Sequence, residues 1–175
     1  MSYMKSISLF LSILLSVVFM NSCSNTDLNP AYNDGYSQLI VKIETKSNSG
    51  SEEQVVFTGD DLLWFNGTTK EIRFKDNYFQ QKNISLYADV KFYLDNEYLF
   101  STFRLSDFNS NIHNSPVFYY STIENKFYIN DGYPEIAVLR PQDKIQKERD
   151  ENMQAIADGW GKFIQHLKKI NKYKE

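Results

Sequence analysis

Ile84-Ser85-Leu86-Tyr87-Ala88-Asp89-Val90-Lys91-Phe92-Tyr93-Leu94 runs into Asp95-Asn96-Glu97, and Tyr98-Leu99-Phe100-Ser101-Thr102-Phe103-Arg104-Leu105 returns. Leu86, Ala88, Val90, Phe92 and Leu94 recur at every second residue, the spacing that puts side chains on one face of a strand. Two such runs across a short polar turn predict an antiparallel hairpin. The same signature recurs on both sides. Upstream, Ser37–Thr45 alternates through Leu39, Val41 and Ile43, Lys46–Glu53 reads as a polar loop, and Gln54–Thr58 reads as a short strand. Leu62–Phe65 and Glu71–Phe74 flank Asn66-Gly67-Thr68-Thr69-Lys70, a hairpin signal because Asn and Gly tolerate positive φ. Downstream, Ser106–Pro116 is a polar loop around Phe108, Ile112 and His113. Val117–Ser121 and Lys126–Ile129 form a further hairpin around Glu124-Asn125. Tyr133–Leu139, with Pro134 near its start, reads as an edge strand.

From Gln142 the period changes. Ile145, Met153, Ile156, Trp160, Phe163, Ile164, Leu167 and Ile170 recur at three and four residues, which predicts one long amphipathic helix. Asp143 and Gln146, just after Pro141, have the spacing of a capping box. Lys168, Lys169, Lys172 and Lys174 place positive charge where the helix dipole favours it. Gly159 and Gly161 each cost about 1 kcal/mol against alanine in a helix interior. Either they admit close packing beside Trp160 or they mark a kink.

Strands first and a terminal helix last indicate an α+β fold, an antiparallel sheet of hairpins packed by one long C-terminal helix. A β-sandwich with an appended helix is the alternative. The 175-residue chain carries 19 basic and 22 acidic residues and a formal net charge of −3. That balance lacks the basic face of a nucleic-acid binder. Twelve tyrosines and 13 phenylalanines suit strands.

The amino terminus has a different logic. Lys5 precedes an apolar and serine run of about 14 residues, Ile7–Met20, and then Met20-Asn21-Ser22-Cys23. A positive start, an apolar stretch and small residues before a cleavage point form a secretory signal. The run falls short of the ~20 residues that span a bilayer. Cys23 is the only cysteine, so it has no internal disulfide partner. With cysteine at the first mature position, the segment resembles a bacterial lipoprotein signal. An ordinary signal peptide with a chance cysteine is the plainer alternative. Together with the aromatic, Asn-rich composition, the chain resembles the small lipoproteins of Bacteroidota-type bacteria. That resemblance implies cleavage after residue 22 and acylation of Cys23, including a palmitate-type chain. It also implies a cell-envelope location at the outer membrane, either periplasmic or surface-exposed. One acyl chain holds a protein marginally, whereas the several chains of such lipoproteins make a stable tether. The organisation expected is a signal at 1–22, a polar stalk at 23–35 and a single domain at 36–175. Asp27 stands without an acidic cluster, so the resemblance leaves surface display open.

Catalytic constellations are sparse. His166, between Phe163 and Leu167, reads as a boundary residue at the edge of the apolar stripe. His113 has Ser110, Ser115 and Asp107 nearby in sequence, but a triad is a matter of geometry. Asp60-Asp61 sits by Gly59 in a turn, where aspartate bonds its own backbone. Adjacent acids such as Glu52-Glu53 point to opposite faces of a strand. Neither a metal nor a cofactor is indicated. The remaining candidates are aromatic: Trp64, Tyr119, Tyr120, Tyr128 and Tyr133, which would form a platform for sugar rings or a peptide. Tyr119 and Tyr120 must face opposite sides. Two readings follow. The first is a non-catalytic, lipid-tethered module that binds a glycan or protein or helps build an assembly, using the sheet face opposite the helix or the 106–116 loop. The second is an envelope hydrolase acting on glycans or peptides.

Overall fold

The computed structural model describes residues 37–47, 50–75 and 88–175. Ser37–Glu175 forms one compact unit. Cys23, the stalk and Ile84–Tyr87 lie outside the described residues. The fold is α+β. Among the described residues there are nine strands: β1 Leu39–Ser47, β2 Gly50–Thr58, β3 Leu62–Asn66, β4 Glu71–Phe74, β5 Asp89–Leu94, β6 Glu97–Ser106, β7 Val117–Ser121, β8 Lys126–Asn130 and β9 Tyr173–Lys174. They make one sheet in the order β2-β1-β5-β6-β7-β8-β4-β3-β9. Two helices follow β8, α1 Gln142–Ala155 and α2 Ala157–Lys169.

The hairpins form where the sequence marks them. Asp95 and Asn96 take φ of 50° and 68°, the paired left-handed conformation of a two-residue hairpin turn, and join β5 to β6. Asn125, at φ 54°, turns β7 into β8. Residues 67–70 connect β3 to β4. Four expectations are corrected. The 46–53 segment is not a loop: β1 and β2 stay paired out to Ser47 opposite Gly50. The sheet is mixed, because β6 pairs in parallel with β7 and β3 in parallel with β9. Residues 133–139 form no strand. Only Tyr133 pairs, in a bridge to His113, and Pro134 has no N–H to continue the ladder. The segment then forms a 3-10 turn over Ile136–Val138. Finally, the long helix is two helices broken at Ile156 (φ −105°, ψ 8°), and the capping box is not made, since Pro141 is the N-cap and Gln146 donates to Asp150 instead.

The sheet is curled. Phe57, on the edge strand β2, touches Phe74 of β4 at 4.9 Å and Phe118 of β7 at 6.0 Å between ring centroids, although those strands lie far along the sheet order. Bulges assist the curl. In β2 the register shifts opposite Val41 and Lys42, so consecutive residues Val56 and Phe57 are both buried. In β6 a register shift leaves Leu99 unpaired, so Leu99 and Phe100 are both buried. The concave interior is the core: Val41, Phe57, Phe65, Ile72, Phe92, Phe100, Phe118 and Ile129 are all buried there. Helix α2 closes one end. Phe163 meets Phe65 at 5.7 Å, Phe92 at 5.6 Å and Phe100 at 5.7 Å, thereby joining β3 to β5 and β6. Each fully buried phenylalanine contributes about 1.5–3 kcal/mol.

Helix α1 serves the opposite face. It buries only Ile145 and Arg149. Arg149 donates to Pro134 O at 2.8 Å and lies 3.9 Å from Asp131, and Asn152 donates to Asn114 O at 2.8 Å. These bonds fasten α1 to the 131–134 turn and, at Asn114, to the 107–116 loop. The break at Ile156 lets one amphipathic run pass from the outer face to the mouth of the curl. Among the described residues no helix is long and apolar enough to cross a membrane.

Candidate functional site

Strand alternation sorts the candidate aromatics. In β7, Phe118 and Tyr120 point inward while Val117 and Tyr119 point outward. Tyr119 pairs with Tyr128, and Tyr120 with Phe127. The structure therefore brings three of the five candidates into one cluster on the outer face. Tyr119 stacks on Tyr128 at 6.0 Å and meets Tyr133 at 5.1 Å. Tyr120 is on the other side, 4.6 Å from Phe127, with its hydroxyl donating to Asn125 at 2.8 Å. Trp64 shares the outer face but sits two strands away on β3, beneath Lys174 at 4.3 Å.

Asp107, at the end of β6, organises the tyrosine side. Its carboxylate accepts from the Tyr119 hydroxyl, from Thr122 N at 2.5 Å, from Thr122 Oγ1 at 2.7 Å and from Ile123 N at 3.4 Å. Burial works against its charge, but the donors from Tyr119 and Thr122 outweigh it and hold Asp107 below the usual carboxylate range. The Tyr128 hydroxyl donates to Glu124. Burial first, and then the carboxylate each faces, push both Tyr119 and Tyr128 well above the usual phenol range. Both rings therefore stay neutral and fixed in place. Phe108 follows Asp107 in the chain and Ile123 donates its N–H to it, and the two are 80% and 90% exposed. The sequence named the tyrosines and, through the 106–116 loop, Phe108, but not Ile123, whose signal was an apolar residue inside a polar turn.

His113 stacks on Phe103 at 5.0 Å, and its Nε2 lies 3.1 Å from Asn109 Nδ2. Asp107 is occupied by Tyr119 and the β7–β8 turn, so the structure does not bring it to His113 as a base pair. Asp61 accepts from Thr58 N at 2.7 Å and Thr58 Oγ1 at 2.9 Å, the turn role expected for it. Among the described residues no group of three or more His, Cys, Asp or Glu is placed to hold a metal ion. His166 is not at a boundary. It is 5% exposed, its Nδ1 has no hydrogen-bond partner, and burial lowers its pKa.

Neither a family model, nor a curated protein, nor a solved structure matches this chain. The chemistry of the site itself therefore carries the functional reading.

Sequence reading also missed the inward face of β6. Thr102, Arg104 and Ser106 alternate there, opposite Val90, Phe118 and Tyr120. They are 2%, 8% and 3% exposed. Thr102 Oγ1, Arg104 Nε, Arg104 Nη1 and Ser106 Oγ have no hydrogen-bond partner. Burial alone pulls the Arg104 guanidinium down to about 10.

Proposed function

We propose that this chain is a lipid-anchored cell-envelope protein whose folded domain binds a glycan or protein ligand without transforming it. The observation that carries the binding reading is the exposed pair Phe108, next to Asp107 in the chain, and Ile123, bonded to Asp107 through its N–H, with Tyr119 of the Tyr119–Tyr128–Tyr133 cluster on the same carboxylate. Loop-borne apolar side chains are ordinarily a liability in water and mark contact surfaces when grouped. Here they adjoin Asp107, which holds Tyr119, and the hydroxyls of both Tyr119 and Tyr128 are already bonded. Such a surface is preorganised and loses little entropy on binding. The anchor rests on the resemblance of residues 1–23 to a lipoprotein signal.

The test uses the full-length chain. Mass spectrometry of the native product should find Cys23 acylated and amino-terminal; a free thiol there refutes the anchor. Glycan and protein arrays should yield a ligand whose affinity falls about tenfold or more in Phe108→Ser and Ile123→Ser, as truncation of a central contact does. Affinity unchanged in both variants refutes the surface. Turnover of a glycan or peptide that is lost in His113→Ala refutes the non-catalytic reading.

A further inference from the structure

We infer that the end of the curled sheet away from α2 is a binding site for an oxyanion, a carboxylate or phosphate group, held by Arg104 with Thr102 and Ser106. On the inward face of β6, Phe100 sits beside Phe163 and Trp160 at the closed end. Two, four and six residues further on, the same face presents Thr102, Arg104 and Ser106. The interior thus changes along β6 from apolar, under the helix, to hydroxyl and guanidinium beyond it.

A cation removed from water without a partner is strongly disfavoured. Arg104 is in that condition. Among the described residues no carboxylate lies within ion-pair distance of it, and two of its three nitrogens are buried with nothing to donate to. The contrast with the other buried arginine is informative. Arg149 donates to Pro134 O and Asn114 Oδ1 and lies near Asp131. An arginine serving only to hold the fold has such partners. Among the described residues Arg104 has none, and the two hydroxyls flanking it at i−2 and i+2 also lack partners.

The donor set selects the ligand. A guanidinium supplies several fixed N–H donors and no acceptor, and hydroxyls supply one donor each. An oxyanion can accept from all of them, whereas a cation would be repelled by the guanidinium at the centre of the set. Phe118 and Tyr120, the cross-strand partners of Arg104 and Ser106 on the same face, offer apolar surface to the rest of the molecule. The site is independent of the outer tyrosine face, because it lies on the opposite side of the sheet.

The experiment follows thermal unfolding of the full-length chain in low-salt buffer, with sodium chloride controls at matched ionic strength. Sodium phosphate and sodium decanoate are the probes; the first reports a free inorganic anion and the second a carboxylate with an apolar tail. A specific rise of about 5 °C or more with either is expected at saturating concentration. Arg104→Met should abolish the rise and, without probe, melt at or above the wild-type temperature. A double variant, Thr102→Val with Ser106→Ala, should weaken the probe about tenfold. No specific rise with either probe overturns the inference, as does a rise that survives in Arg104→Met. So does an Arg104→Met melt well below wild type, which would reveal an internal partner for the guanidinium.

Discussion

At position 166 a single ring links the sequence to acid stability. His166 sits under the Gly59 turn, with Nε2 3.7 Å from where a Gly59 side chain would begin, and Asp95, Lys169 and Lys172 are the charges that act on it. Burial outweighs Asp95, so its folded pKa lies below the ordinary 6.5. The unfolded chain then takes up a proton near that pH while the folded protein does not. The stabilisation is complete above pH 6.5 and is lost as pH falls from there towards the folded value. Denaturant midpoints for the wild type should therefore fall more steeply from pH 7 to pH 5.5 than those for His166→Leu; parallel slopes would refute this. The sequence placed His166 at the edge of the apolar stripe because only its helical neighbours are visible there. The turn that covers it comes from more than 100 residues away.

Among the elements, α2 poses the sharpest question, and its two glycines answer it differently. A Cβ at Gly159 would sit 2.1 Å from Leu99 O, the carbonyl of the residue that bulges from β6. Only a glycine lets the helix approach that carbonyl. Gly161 has nothing within 4 Å of a Cβ position. Gly159→Ala should destabilise by about 1–3 kcal/mol, as overpacking does. Gly161→Ala should stabilise by up to about 1 kcal/mol through helix propensity. Chemical denaturation of the two variants checks both signs. Of the two roles the sequence left open, close packing is the one Gly159 plays, and the break lies elsewhere, at Ile156. The hairpins were legible because Asn, Asp and Gly sit where positive φ is needed. The β6–β7 pairing was not. Ten residues separate Ser106 from Val117, and nothing local states whether the chain doubles back or crosses over. The edge strand expected at 133–139 stops after the Tyr133 bridge to His113, because Pro134 offers no donor to extend it and Ile136–Val138 closes into a 3-10 turn.

For the molecule as a whole, the order of periods, two then 3.6, carried the α+β class. The curl was hidden because it depends on which strands meet across the interior, as Phe57 meets Phe74 and Phe118. Hidden too was the inversion of β6. Its alternation of Phe103 and Leu105 with Thr102, Arg104 and Ser106 invites an apolar-inward reading. The fold does the reverse, because Phe103 and Leu105 have cover of their own on the outer face, His113 over Phe103 and Leu105 fully buried. The tyrosine face was half legible. Alternation separates Tyr119 from Tyr120, but the partnership with Asp107, Phe108 and Ile123 requires the crossover that brings the end of β6 to the β7–β8 turn.

The place of β1 has a mechanical consequence. The first strand of the domain is not at an edge, since β2 flanks it on one side and β5 on the other. Force entering at Ser37 and directed along the strand loads two hydrogen-bond ladders at once, and those bonds lie across the pull. The strand must shear rather than unzip one bond at a time. Single-molecule stretching from residue 37, with the second handle placed to pull along β1, should show a rupture force well above that from a handle on β2, the outermost strand. Equal forces would mean that the grip lies elsewhere. A body hauled by that strand would keep its shape under tension.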